Sequence, residues 1–372
     1  MLALLPASWV PYGELVRLHS PTGTYYLLFP CVFSTLLAAP LTGPPMAAAA
    51  SIAGTSALFG AGALVMRGAG CAINDLWDRE LDPRVARTRL RPLARGALTA
   101  PRALAFVAGN LLLGLAVLLQ FPAACLLYGV PSLLLVAAYP LAKRVTYYPQ
   151  FVLGLTFSWG ALMGFPALGV DFLGLAPAAA PVAEALLGVH GAEVLGLDAA
   201  SAAAYTSGSV GGGGGTKTHA LAAATLLYAS NVSWTVLYDM IYAHMDIRDD
   251  ARAGIKSIAL AHPTAAKTRR VLGALAVAQV GLLAGAGVAA GSGPTFFVGS
   301  CGGAALSLGY MIRRVNLEDV RDCWWWFANG CWITGGLIAA GLGVDYLVRY
   351  LEAKKEEGEG EGEDGKREDT SA

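Results

Sequence analysis

The stretch "ASIAGTSALFGAGALVMRGAGCAINDLWDRELD", residues 50–82, decides the fold. Up to Ile73 it carries a single charge, Arg67; then Asp75, Asp78, Glu80 and Asp82 follow at once. A helix rising ~1.5 Å per residue needs about 20 apolar residues to cross roughly 30 Å of hydrocarbon. The apolar part is long enough, so it reads as a membrane span whose end delivers acids to the membrane edge. Carboxylates placed at depth cost roughly 2.5 kcal/mol or more each, which gives their position a functional meaning.

The rest of the chain has the same character. Of its 372 residues, 55% are hydrophobic and 14% charged, and the mean hydropathy is +0.54, far from an ordinary soluble domain. Net charge is zero and no RNA- or DNA-binding pattern occurs, which excludes a nucleic-acid partner. The six cysteines lack CxxC or metal-ligand spacing and read as small buried hydrophobes.

Hydropathy gives an all-α, polytopic bundle of nine spans, at about 23–41, 46–70, 103–120, 122–140, 150–170, 220–243, 271–291, 294–312 and 324–348. Threading them puts the loops 71–102, 141–149, 244–270 and 313–323 on one face. Of the 26 Lys and Arg residues, all fall on that face, which also carries the N-terminus with Arg17, or at its edge in the case of Arg67 near the end of the second span, except Lys217 and those from Arg349 onward. The positive-inside rule turns it toward the cytoplasm or, in a mitochondrion, the matrix. The domain layout expected is an interfacial segment 1–22, the bundle 23–348 interrupted by an Ala/Gly-rich insertion 171–219, and a charged, disordered tail 349–372.

The acids can now be placed. Asp75, Asp78 and Asp82 are spaced i, i+3 and i+7 and form one helical stripe with Asn74 beside it. A second cluster lies in "YDMIYAHMDIRDDARAGIKS", residues 238–257, where Asp246 and Asp250 are i, i+4, Asp249 lies between them, and Asp239 lies earlier on the span. Both emerge on the charged face, so the two can face each other across one mouth. Opposed carboxylates repel unless cations lie between them, and Mg²⁺ takes one or two carboxylates plus phosphate oxygens. With Arg79, Lys143, Arg144 and Lys256 nearby, the pattern suits a diphosphate held through Mg²⁺. A solvated face is the alternative for one stripe alone; two stripes on one face, each trailed by basic residues, favour the site. A broken-helix transporter also has many spans and acids, but its site lies near the midplane rather than at helix ends.

At this point the sequence resembles a known family. "NDLWDRELD" is similar to the NDxxDxxxD motif, and "DIRDD" to the second aspartate motif, of the UbiA superfamily of intramembrane aromatic prenyltransferases. "VMRGAGCAINDLWDRELDPRVARTRLRPLARG" (65–96), "YPLAKRVTYYPQFVLGLTFSWGALMG" (139–164) and "VLYDMIYAHMDIRDDARAGIKSIAL" (236–260) resemble its eukaryotic 4-hydroxybenzoate polyprenyltransferase branch. The resemblance covers about residues 5–170 and 220–348.

It implies nine helices around a cavity, with a polyprenyl diphosphate bound through Mg²⁺ and 4-hydroxybenzoate alkylated ortho to its hydroxyl, a step of ubiquinone biosynthesis. Asp75, Asp78, Asp246 and Asp250 would be catalytic, and these four with Asp82 and Asp249 would face the metal. Asn74, Arg79, Tyr139, Lys143, Arg144 and Lys256 would bind substrate. The lipid bilayer and other proteins of ubiquinone biosynthesis are the further partners implied. Trp77, Trp159, Trp234, Tyr139 and Tyr242 are candidate cavity walls, with packing or interface anchoring as the alternative.

Two departures stand out. In "RLHSPTGTYYLLFPC", residues 17–31, Arg17, Pro21 and Gly23 keep the family pattern, while His19 and Ser20 replace an acidic residue and a lysine. That favours an interfacial role for His19; His244 is open between ring deprotonation and a helix-end structural role. The expected address is the mitochondrial inner membrane with the acids facing the matrix, yet "MLALLPASWVPYGELVR" is no clear transit segment. A late gene start, internal targeting or another location follows. A UbiA-type enzyme of meroterpenoid metabolism with a shorter donor such as farnesyl diphosphate is the alternative reading.

Overall fold

A computed structural model describes residues 2–43, 46–187 and 214–369, and every regular element among them is helical. A short helix α1 (Val10–Leu15) leads into α2 (Thr22–Ala38), α3 (Ala49–Asp78), α4 (Ala100–Leu118) and α5 (Ala124–Val145). Next come α6 (Pro149–Phe157), α7 (Gly160–Ala167) and α8 (Ala176–Leu187). After the insertion, α9 (Gly214–Ala243) is followed by two short helices, α10 (Ile247–Ala253) and α11 (Ile258–Ala261). Then α12 (Ala265–Ala290), α13 (Pro294–Arg314) and α14 (Val320–Asp369) complete the bundle.

Among the described residues, eight helices are long and apolar enough to cross a membrane, against nine expected. The difference is the stretch 150–170. Its hydropathy is continuous, but the helix breaks at Ser158 and Trp159 into α6 and α7. The break seats Gly160 and Gly164 against α2. A Cβ on Gly164 would stand 2.2 Å from the Thr35 backbone nitrogen, and one on Gly160 2.5 Å from Cys31 Sγ. Ser34 Oγ seals the contact by donating to Gly160 O (2.8 Å) and accepting from Gly164 N (3.0 Å). Trp159 Nε1 donates to Tyr128 O (2.8 Å), drawing the broken point toward α5.

The core is aromatic. Trp234 of α9 packs with Tyr26, Phe29 and Phe33 of α2 and with Tyr238, all at ring-centroid separations of 5.3 to 6.3 Å. α9 lies along α12, and α13 meets α14 where Gly299 faces Gly341, an approach that leaves no room for a side chain. Within α13, Phe297–Gly302 widens into a π turn whose Ser300 Oγ donates to Ile338 O.

Three further regions bear on the sequence reading. The N-terminal segment folds against the bundle: Leu15 is buried among Ala72, Leu98 and Val107. Of the insertion, only its edges are described, including α8, which Asp171 caps by accepting from Ala176 N (2.7 Å); 188–213 lies outside the described residues. Composition predicts disorder from 349, whereas α14 runs on to Asp369. Extending an existing helix adds one hydrogen bond per residue fixed, and Glu and Lys are good helix formers.

Candidate active site

The carboxyl-terminal ends of α3 and α9 arrive at the same face of the bundle, above a cavity of about 1440 Å³. α3 contributes Arg67, Cys71, Asn74 and Asp78, which follow the i, i+3/i+4 repeat of one helical face. α9 contributes Thr235, Asp239, Tyr242 and Ala243 in the same way, and α5 adds Tyr139 and Lys143. Asp246 and Asp250 close the mouth opposite Asp78 and Asp82, so the two acidic clusters do share one opening.

Each cluster is laced with cations. Lys143 Nζ pairs with Asp78, and Arg91 Nη1 lies 3.1 Å from carboxylate oxygens of both Asp75 and Asp82. Arg17 reaches Asp75 Oδ1 at 2.6 Å from a backbone with φ of 59°, a left-handed conformation unusual outside glycine. Arg87 holds both oxygens of Asp246 in a fork and lies over the Tyr242 ring, 4.9 Å from its centroid. Ala86 N donates to Asp249 Oδ2 (3.1 Å). The segment after the first motif is thus stitched to the second, forming a cap.

Local backbone chemistry sets the second motif. Gly254, at φ 70°, ends α10 in the left-handed region. The chain then turns so that Lys256 N donates to Lys143 O (3.1 Å) and Ile258 N to Gln150 Oε1 (3.2 Å). Burial, with Asp246 adding to it, pushes the Asp250 carboxyl up to about 6. Burial also raises Asp82; Asp75 and Asp78 add to this, and Arg91 opposes it.

The residues singled out from sequence divide into two groups. Asn74, Asp78, Asp82, Tyr139, Lys143, Asp246, Asp250 and Lys256 line the cavity. Lys256 Nζ nevertheless donates to Val145 O (3.0 Å) and sits over the Tyr147 ring. The other group does not line it. Asp75 is fully buried behind the wall and holds Arg17 and Arg91; Asp249 is spent on the Ala86 amide. Arg79 faces outward beside Glu80, and Arg144 donates to Trp77 O. Of the candidate walls, Trp159, Tyr139 and Tyr242 line the cavity, Trp234 lies in the core, and Trp77 is exposed. His244 is buried, bonded to Met240 O (2.8 Å) and Thr268 Oγ1 (3.2 Å), and burial lowers its pKa. It is not among the lining residues, which favours the structural role.

Sequence reasoning passed over several groups that the fold brings in. Arg87 and Arg91 sit in "RVARTRLRP", where ion pairs read as a solvated surface. Arg67 sits inside an apolar span; its Nη2 donates to Ser20 O (2.7 Å), while its buried Nε has no partner. His19, Ser20 and Gly23 line the cavity beside it, and a Cβ on Gly23 would stand 1.8 Å from Arg67 Nη1. Gly23 leaves the space that this guanidinium occupies. The signal was present as the lone cation of the 50–73 stretch.

The comparison with known sequences now bears on this arrangement. Residues 27–334 match the UbiA prenyltransferase family. The chain belongs to that family. It is 40% identical over 346 residues to the mitochondrial 4-hydroxybenzoate polyprenyltransferase of Schizosaccharomyces pombe, covering 93% of this chain and 82% of that protein. The Saccharomyces cerevisiae protein of the same name is also 40% identical, over 93% of this chain and 79% of its own length. Among solved structures, a UbiA homolog from Aeropyrum pernix superposes with a TM-score of 0.61 at 24% identity, covering 87% of this chain and 97% of that one. A UbiA homolog from Archaeoglobus fulgidus bound to GPP and Mg²⁺ gives 0.59 at 14% identity, over 90% and 99%. For this UbiA-family protein they establish the all-helical fold.

Proposed function

We propose that this UbiA-family protein transfers a polyprenyl group from its diphosphate to the ring of 4-hydroxybenzoate, ortho to the hydroxyl, as a membrane-bound step of ubiquinone biosynthesis. One observation carries the reading most: two acidic clusters interleaved with Lys143, Arg87 and Arg91 at the mouth of an otherwise apolar cavity. Such a mouth suits a diphosphate, and the cavity below it suits a prenyl chain. Names of relatives at 40% identity supply the acceptor and a mitochondrial address. We place the protein in the mitochondrial inner membrane with the acidic mouth toward the matrix.

The donor set fits Mg²⁺. It is oxygen only, and Asn74 Oδ1 and Asp78 Oδ1 are buried without a hydrogen-bond partner. Among the described residues no three Asp, Glu, His or Cys side chains form a ready cage, which accords with an ion that takes one or two carboxylates and completes its shell with phosphate and water. Asn74, Asp78, Asp246 and Asp250 would hold it, and when bound it would neutralise charge on the diphosphate. Lys143 and Arg87 exchange their carboxylates, and Arg91 its Asp82 contact, for phosphate oxygens and stabilise the charge that collects as the C–O bond breaks. Asp75 keeps Arg17 and Arg91 aimed. Tyr242, Tyr139 and Trp159 wall the allylic cation from water.

Arg67 is the acceptor's anchor in this reading. It is a cation in the apolar part of the cavity, without an ion-pair partner among the described residues, and a benzoate carboxylate satisfies it. Arg67→Gln is expected to raise the KM for 4-hydroxybenzoate about 100-fold, since removing one partner of a buried charge pair costs roughly 2–5 kcal/mol. The KM for the prenyl diphosphate should stay within about twofold, since the diphosphate makes no contact with Arg67 in this reading. Steady-state kinetics with each substrate varied would decide it; equal rises in both would remove Arg67 from this role.

The overall reading is tested with membranes containing the protein, Mg²⁺, labelled 4-hydroxybenzoate and either a long polyprenyl diphosphate or farnesyl diphosphate, with products read by mass spectrometry. A 3-polyprenyl-4-hydroxybenzoate whose formation stops with EDTA and returns with Mg²⁺ is the expected result. Transfer only to another phenolic acid would assign the enzyme to meroterpenoid chemistry instead.

A further inference from the structure

We propose that Asp239 is the group that receives the acceptor's hydroxyl and takes up its proton, across the cavity from Arg67. This rests on the acceptor being 4-hydroxybenzoate. Asp239 belongs to α9 and lines the cavity with Thr235, Tyr242 and Ala243, about one helical turn before that helix ends at Ala243. Arg67 lies about two turns before Asp75 on α3, which runs toward the same face. Both residues line the cavity below the mouth formed by Asp78, Asp82, Asp246 and Asp250, and we take them as the two polar ends of the acceptor's place.

That place has a polarity. Arg67 gives one wall a cation and Asp239 gives another wall a carboxylate. Unlike Asp75, Asp78, Asp82 and Asp246, Asp239 makes no ion pair among the described residues. Its recorded side-chain partner is Gln150, at the start of α6. Gln150 Oε1 accepts from Ile258 N, so its amide nitrogen is the end that turns to Asp239 and fixes the carboxylate. A para-substituted ring with a carboxylate at one end and a hydroxyl at the other matches such a place: the carboxylate pairs with Arg67 and the hydroxyl donates to Asp239. That orientation also presents an ortho carbon upward, toward the prenyl C1 held beneath the mouth.

The chemistry balances. The C1–O bond of the donor breaks and its electron pair leaves with the diphosphate. Ring electrons form the new bond from C3 to C1 while the hydroxyl proton passes to the Asp239 carboxylate, leaving a neutral dienone. Loss of the C3 proton and return of one proton to the oxygen restore the aromatic phenol. One proton is released overall, the one that C3 carried, and the diphosphate accepts it. A carboxylate in hydrogen-bond contact with the hydroxyl raises the electron density of the ring as the cation forms, the work of a general base.

The test is Asp239→Asn, compared with the unaltered enzyme on two acceptors, 4-hydroxybenzoate and 3-fluoro-4-hydroxybenzoate. Fluorine makes the hydroxyl more acidic and leaves the second ortho carbon free. With 4-hydroxybenzoate, kcat should fall about 100-fold or more. The rate ratio of fluorinated to parent acceptor should rise at least tenfold above that of the unaltered enzyme (about the factor expected of Brønsted behaviour). Mg²⁺-dependent binding of the polyprenyl diphosphate should be retained, which reports that the variant is folded. Gln150→Leu should move the same ratio in the same direction by a smaller factor, and it carries the test if Asp239→Asn does not fold. An unchanged kcat, or a fall with an unchanged ratio, overturns the role of Asp239 alone. An unaltered enzyme that fails to prenylate 4-hydroxybenzoate overturns the proposed function, and this assignment with it.

Discussion

Asp78→Asn lowers prenyl transfer about 10³-fold, the upper end of what loss of one preorganised electrostatic group removes from a reaction. The expectation follows from three properties of one side chain. Asp78 lines the cavity, it is almost fully buried, and only one of its oxygens is engaged, by Lys143. The amide keeps the volume and removes the charge, so the helix end should survive while Lys143 loses its counter-ion and the proposed Mg²⁺ site one of its carboxylates. Asp246→Asn should behave alike, since Asp246 faces the same mouth and is held by Arg87. Asp75→Asn, by contrast, acts through Arg17 and Arg91 and should cost less than Asp78→Asn. Single-turnover transfer at saturating Mg²⁺, with donor binding measured in parallel, separates these cases. A loss at Asp78 no larger than at an exposed acid such as Glu80 would remove the mouth from the mechanism.

That ranking among the acids is also where sequence reading reached its limit. The apolar run to Ile73 and the acids after it were enough to place a membrane bundle with two acidic clusters on one face, because hydropathy and charge are local properties. Which oxygen of which aspartate faces the cavity depends on partners far along the chain. Arg17 meets Asp75 across 58 residues and Arg87 meets Asp246 across 159, and no local periodicity encodes either pairing. The arginines of 83–97 were therefore legible as charge, while their carboxylate partners were not. Asp239 was visible as an early acid on its span, but only the turn of α9 and the Gln150 contact give it a place in the cavity. The span break at Ser158 and Trp159 was hidden for another reason: residues 151–170 carry no charge and read as one apolar run, and the break seats two glycines against a neighbouring helix.

That seat carries the second large effect, on stability rather than chemistry. Gly164→Val is expected to destabilise the fold by about 3 kcal/mol or more, at or beyond the upper range for overpacking a tight interior. The reason is what its side chain would meet. A Cβ at 164 would stand 2.2 Å from Thr35 N and 2.4 Å from Ser34 C, both backbone atoms of α2, so relief requires α2 and α7 to separate. Separation also breaks the bonds that Ser34 Oγ makes to Gly160 O and Gly164 N. Gly23 makes the instructive contrast. Its Cβ would come nearer still, 1.8 Å, but to the end of the Arg67 side chain, which can swing away. Gly23→Ala should leave the thermal midpoint in detergent nearly unchanged and raise the acceptor's KM by displacing Arg67. Gly164→Val should lower the midpoint sharply with all substrates equally affected in what remains folded. If Gly164→Val kept the parental midpoint, α7 would not pack on α2 through these glycines, and the break in the 150–170 stretch would need another cause.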